Sequence, residues 1–235
     1  MEKKNVISKK QSDDLYSLLK FIHDTLTANK IKYFIIGGTL LGAVRHQGII
    51  PHDHDGDIAI FKKDVPKLRK LKKTFMNNGY ILEQLIDEEE EPYYKKHNDV
   101  ITWYVESRFL HCDIFIMEEF KNGKINYSDP GWRQQDSLGG KTCYIESIHL
   151  YPLIPYRFGN FWLYGPNNAI PHLNKCYGED WSSRAYENGK KKVMKVNDYL
   201  TLKPPKSTKD DTPPPMIFTQ ANKKFFESPT RWRYF

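Results

Sequence analysis

The chain has 235 residues, enough for one domain with a real core, and its hydrophobic (39%) and charged (28%) fractions are ordinary for a globular protein. Lys and Arg outnumber Asp and Glu by 36 to 29, and the resulting +7 favours anionic partners: nucleotides, phosphorylated sugars, nucleic acid or a membrane surface. Cys112, Cys143 and Cys176 form no CxxC pair, which argues against a zinc ribbon or dithiol redox motif and suits free thiols.

In chain order, Ser12-Asp13-Asp14 reads as a helix start, and Leu15, Leu18, Leu19, Ile22 and Leu26 then recur at helical spacing until Asn29-Lys30. Ile31 to Ile36 reads as a strand broken by Gly37-Gly38, and Thr39 to Arg45 as a short helix. A loop through Pro51 leads to a second strand at about Asp55 to Phe61. Asp64, with Pro66 in the first turn after it, predicts a helix that turns Leu68, Leu71 and Phe75 inward and closes at Asn77-Asn78-Gly79. Strands follow at Tyr80 to Ile86, Val100 to Glu106 and His111 to Met117, with an acidic turn at Asp87 to Glu91. Asn122-Gly123 marks a hairpin between Glu118-Phe120 and Lys124-Tyr127. Cys143 to Ile148 and Asn160 to Tyr164 read as strands, and Asn168 to Tyr177 as a helix stopped by Gly178. From about Lys203 Pro, Lys and Thr dominate, and an aromatic stretch at Phe225 to Phe235 is expected to dock. The division is therefore a catalytic domain over 1–200 and a tail over 201–235.

The chemistry concentrates between Gly37 and Ile60. Asp53, Asp55 and Asp57 are two residues apart, so an extended backbone turns all three to one side, while Ile58 and Ile60 enter a core. Three like charges on one edge repel, and a divalent cation relieves that repulsion. Mg²⁺ favours one or two carboxylates plus phosphate oxygens. A strand ending in Gly-Gly before a helix lets backbone approach a phosphate at the helix N-terminus, although no GxxxxGK[ST] is present. His46, His52 and His54 cluster, but their spacing fits no standard zinc ligand set.

The runs GGTLLGAVRH (Gly37 to His46) and IPHDHDGDIAI (Ile50 to Ile60) resemble the signature of the LicD family, which includes fukutin and fukutin-related protein. The first half agrees nearly residue for residue. In the second, His52 stands where the family has Trp, and His54 and Gly56 replace an Asp and an Ile. The resemblance implies an α+β nucleotidyltransferase (polymerase-β-like) fold, a mixed sheet flanked by helices. It also implies transfer of phosphocholine or an alditol phosphate from a CDP-activated donor to a sugar hydroxyl of a glycan. Such a fold needs a later strand carboxylate, and Asp113 in Leu110-His111-Cys112-Asp113-Ile114-Phe115-Ile116 matches the family's D-I-F strand. Tyr177-Gly178-Glu179-Asp180-Trp181 resembles the family's late YGxDW segment.

The resulting expectations are specific. Asp55, Asp57 and Asp113 are catalytic. Asp53, Asp55, Asp57 and Asp113 hold Mg²⁺ or Mn²⁺. Gly37, Gly38, Thr39 and Arg45 cradle phosphate. With no signal-peptide-like start and no stretch of the roughly 18–20 apolar residues a spanning helix needs, the chain reads as cytoplasmic. Two enzymatic rivals share the acids: a nucleotidyltransferase using NTP, on nucleic acid or on small hydroxyl compounds, and a glycosyltransferase using Asp53-His54-Asp55 as a DxD motif. A binding module that has lost catalysis is a third.

Overall fold

The computed structural model describes residues 7–84, 102–107, 110–130, 133, 143–187, 190–195 and 212–217. The first helix, α1, spans Lys9–Ala28. It begins a turn before Ser12, because Ser8 and Gln11 form a reciprocal capping box that satisfies two helix-end donors. Ser12 lies buried inside it. Leu15, Leu18, Leu19, Ile22 and Leu26 are each at most 1% exposed, so the predicted stripe is the packed one.

Strand β1 (Tyr33–Ile35) leads into α2 (Gly37–His46), which starts two residues before the expected Thr39. The chain then turns into β2 (Asp55–Phe61) and a 3-10 turn at Lys62–Asp64, followed by two short helices, α3 (Val65–Arg69) and α4 (Lys72–Asn77). Then come β3 (Ile81–Gln84), β4 (Trp103–Ser107), β5 (Leu110–Glu119) and β6 (Lys124–Tyr127). The main sheet runs β1-β2-β5-β4-β3. Only β2 and β5 pair in parallel along this path; the other neighbours are antiparallel, making the sheet mixed. The Asn122-Gly123 hairpin returns β6 along the end of β5, and β7 (Ile145–Glu146) extends it.

Past Glu146 the strand reading fails, because Ser147–Leu150 winds into a short helix, α5. A two-stranded ribbon follows, β8 (Ile154–Phe158) with β9 (Phe161–Gly165). Next is α6 (Ile170–Tyr177), ended at Gly178 with φ 83°, and a second ribbon of β10 (Arg184–Glu187) and β11 (Lys190–Lys195). Residues 212–217 are extended: Ile217 exchanges backbone hydrogen bonds with Leu153, and the Tyr164 hydroxyl donates to the Pro215 carbonyl at 3.1 Å. The acidic turn at 87–91 and the aromatic stretch at 225–235 lie outside the described residues.

Cys143 and Cys176 are joined as a disulfide with Cα atoms 5.4 Å apart, whereas Cys112 is free and buried. This corrects the expectation of three free thiols. Proximity across 33 residues of sequence is a tertiary fact that cysteine spacing does not encode. Among the described residues, no helix is long and apolar enough to cross a membrane.

Candidate active site

Strands β2 and β5 set the site. Their parallel register places Asp55 opposite His111 and Asp57 opposite Asp113. Side chains alternate along a strand, so these four residues share one face at the beginning of both strands. The other face carries Gly56, Ile58, Cys112 and Ile114, all buried, and faces α1 through Leu19. Asp53 stands just before β2, in a turn closed by its own N–H donating to the Ile50 carbonyl at 2.8 Å. Its carboxyl group feels the charges of Asp55 and Asp57, so Asp53 joins the cluster although it lies outside the strand.

The Gly-Gly segment does something more specific than predicted. Gly38 N–H donates to Asp57 Oδ2 at 2.7 Å, and the Asp57 N–H donates to Thr39 Oγ1 at 2.8 Å. The carboxylate therefore sits at the N-terminus of α2, where exposed amides and the helix dipole favour negative charge. Gly37 has φ 53°, and a Cβ there would lie 2.5 Å from Asp57 Oδ2. A Cβ on Gly38 would overlap Asp53 Oδ2. The two glycines thus leave the volume that two carboxylates fill. Gly38 and Thr39, expected together with Gly37 to cradle phosphate, hydrogen-bond Asp57.

Arg45 is similarly engaged with protein. Its Nη1 donates to the Trp181 carbonyl at 3.0 Å and its Nε to His46 Nε2 at 3.0 Å. Trp181 is anchored in turn by its indole N–H donating to Asn174 Oδ1 at 2.7 Å. The GGTLLGAVRH run and the Tyr177-to-Trp181 segment, far apart in sequence, meet here. Tyr177, at the end of α6, feels the charges of Asp57 and Asp53, and burial together with those carboxylates holds its hydroxyl well above the usual range.

The electrostatics show strong frustration among the acids. Burial, then the charges of Asp55 and Asp113, push Asp57 up to about 7, against the lowering effect of the Gly38 and Thr39 contacts. Burial and the neighbouring Asp55 and Asp57 also raise Asp53, and burial raises Asp113 against the lowering influence of His111. Burial and Arg45 push His46 down to about 4, leaving it neutral, as an imidazole accepting a hydrogen bond from Arg45 should be. Asp55 and His111 form the open side, with side chains 33% and 44% exposed and Oδ2 to Nε2 3.7 Å apart.

Among the described residues, no three His, Cys, Asp or Glu side chains are gathered tightly enough to hold a metal ion by themselves. The donor set nonetheless suits Mg²⁺, which takes one or two carboxylates and completes its shell with water and substrate phosphate. Oxygen donors that resist ionising together fit a cation bound along with its substrate. The trio His46, His52 and His54 forms no such group either.

Sequence reasoning passes over His111 as a site residue. Its signal is available, since His111 stands two before Asp113 and so shares its face. Tyr127, raised to about 12 by burial and by Asp57, likewise reads in the sequence only as a hairpin residue.

The chain matches the family described as LicD/FKTN/FKRP, nucleotidyltransferase domain, over residues 30–168. It is 38% identical over 183 residues to an uncharacterized protein of Rickettsia prowazekii, covering 78% of this chain and 60% of the relative. It is 27% identical over 164 residues to the human ribitol 5-phosphate transferase FKRP, covering 68% of this chain and 30% of that one. A 48-residue stretch is 40% identical to the lipopolysaccharide cholinephosphotransferase LicD of Haemophilus influenzae, covering 20% and 18% of the two chains. The chain thus spans between a half and two thirds of the rickettsial relatives it matches and less of the others.

Proposed function

The chain belongs to the LicD/FKTN/FKRP nucleotidyltransferase-domain family, and on that premise we propose that it moves a phosphorus-containing head group, phosphocholine or an alditol phosphate, from a CDP-activated donor to a glycan hydroxyl. The observation that carries this reading is the shared face of Asp55, Asp57, His111 and Asp113, with Asp57 seated on the α2 N-terminus. The names of two relatives, a ribitol 5-phosphate transferase and a cholinephosphotransferase, support the choice of head groups.

In this reading Asp55 and Asp57 would hold Mg²⁺ or Mn²⁺ together with substrate phosphate, with Asp53 and Asp113 the further carboxylates of the cluster. A cation held there would supply positive charge to the donor's phosphates. Gly38 and Thr39 fix the Asp57 carboxylate so that it does not reorient during the reaction. Asp113 takes the proton of the acceptor hydroxyl as its oxygen attacks phosphorus in line, and CMP leaves. Its raised pKa keeps that carboxylate basic enough for the task. His111, on the open side beside Asp55, is placed to donate to a phosphate oxygen. The Arg45 link to Trp181 holds Tyr177 against the acids, narrowing the site.

The test is nucleotide release from CDP-choline, CDP-ribitol and CDP-glycerol, with Mg²⁺ or Mn²⁺ and with EDTA. CMP release that needs the metal and disappears in Asp55→Ala supports the proposal. Pyrophosphate release from an NTP, or nucleoside diphosphate release from a nucleotide sugar, would replace it with one of the two enzymatic rivals. A folded protein silent on all three donor classes would favour a binding module.

A further inference from the structure

The chain's net positive charge is concentrated in one stretch of the sequence. Lys62, Lys63, Lys67, Arg69, Lys70, Lys72 and Lys73 fall within twelve residues that contain one acid, Asp64. This segment alone is +6 in a chain of +7, so everything else together is nearly neutral. A charge serving only solubility has no reason to gather in this way.

Folding places these cations on one outer surface. Across the 3-10 turn, α3 and α4, the apolar residues Val65, Leu68, Leu71 and Phe75 turn inward and are at most 7% exposed. All the cations except the half-buried Lys62 are exposed. Several are already engaged: Lys62 with Glu118 at 3.4 Å, Lys67 with Asp64 at 2.7 Å, and Lys72 over the Trp103 ring at 5.3 Å. The side chains of Arg69, Lys70 and Lys73 make no hydrogen bond or ion pair among the described residues. Met76, 66% exposed, follows Lys72 and Lys73 by four and three residues on α4, so the same helix face carries cations and a bare apolar side chain. Ile81, at the start of edge strand β3, is 51% exposed just beyond.

We propose that the surface formed by the 3-10 turn, α3 and α4 docks the protein on an anionic lipid bilayer, with the cations against headgroup phosphates and Met76 entering the boundary region. Clusters of four to eight Lys and Arg on an amphipathic helical surface have the composition of peripheral membrane binding. Single-stranded nucleic acid is a poorer fit, because its binding sites use exposed aromatics for stacking. Here Phe61 and Phe75 are buried, and Tyr80 is stacked on Phe21. The nearby groove of about 630 Å³ does not serve as a phosphate pocket, since Glu118 and Glu119 line it opposite Lys62 and Lys63. The surface follows the far end of β2 from Asp55 and Asp57, so this inference is independent of the transfer reaction.

The test is co-sedimentation of the full chain with vesicles of phosphatidylcholine alone or phosphatidylcholine mixed with phosphatidylglycerol. Binding should require phosphatidylglycerol and weaken as salt rises. The triple variant Arg69→Gln/Lys70→Gln/Lys73→Gln should bind on the order of a hundredfold more weakly, about fivefold per cation. The control Lys9→Gln/Lys10→Gln/Lys20→Gln removes the same charge from lysines of α1 that pair with Asp13, Asp14 and Asp24, and should bind as wild type. Met76→Ser should weaken binding by a smaller factor that salt does not erase. Melting curves of all variants in the absence of vesicles check that the fold is kept. Equal binding to neutral vesicles, equal loss in both triple variants, or capture by duplex DNA but not by vesicles would overturn the proposal.

Discussion

Replacing Asp57 by asparagine should make the metal-free protein more stable, even though it should end catalysis. The amide oxygen of the replacement can still accept from Gly38, as Asp57 Oδ2 does at 2.7 Å, and the amide fits the same space. What disappears is a charge that burial and its acidic neighbours disfavour, shown by Asp57 being pushed from 3.8 up to about 7. A carboxylate whose folded pKa is raised binds more protons folded than unfolded. Its favourable contribution is complete below the unfolded value and is lost as pH rises toward and through about 7. A rise of about three in pKa corresponds to at most about 4 kcal/mol. Water reaching the partly exposed Asp55 brings a realistic figure to about 2 kcal/mol. Asp57→Asn should therefore melt about 4–8 °C above wild type in EDTA near pH 8, with the gap shrinking toward pH 5. Thermal and urea unfolding at both pH values would measure it. A variant no more stable than wild type near pH 8, or a gap that ignores pH, would refute the electrostatic reading of the site.

Other outcomes follow from the same geometry. Magnesium should raise the melting temperature of wild type near pH 8 and leave Asp57→Asn almost unmoved, by differential scanning fluorimetry. Thr39→Val should lose about 1–3 kcal/mol in urea unfolding, because it strands the buried Asp57 N–H, and Thr39→Ser should recover most of it. Gly37→Ala should lose at least about 1–2 kcal/mol from the left-handed backbone alone, and more because its Cβ displaces the Asp57 carboxylate. Thiol titration of the unreduced, denatured protein should count one free cysteine, Cys112; a count of three would contradict the Cys143–Cys176 pairing.

The acids are legible in the sequence because a period of two is a local property: Asp55, Asp57 and Asp113 each sit among β-forming residues that fix their facing. The helix stripe of α1 is legible for the same reason, and even its earlier start has a signal in Ser8-x-x-Gln11. What the sequence conceals depends on long-range pairing. Nothing local shows that the acids fold back into the space above Gly37 and Gly38. The Arg45 contact spans 136 residues and has no local trace. Strand β8 escapes the sequence reading because Pro155 argues against a strand, yet a two-stranded ribbon offers an edge where a missing N–H is tolerated.

The β2–β5 pairing also bears on how the molecule assembles and opens. Residues of β1, α2 and β2 lie within thirty positions of one another, and β3, β4 and β5 form a meander of antiparallel neighbours. Each group can form largely from nearby contacts, whereas β2 and β5 must find each other across the 48 residues between Phe61 and Leu110. The acids stand on both sides of that join, at its beginning rather than its middle. A partial opening along it would separate Asp57 from Asp113 while leaving both halves folded. Loss of turnover should then precede loss of helix signal on heating.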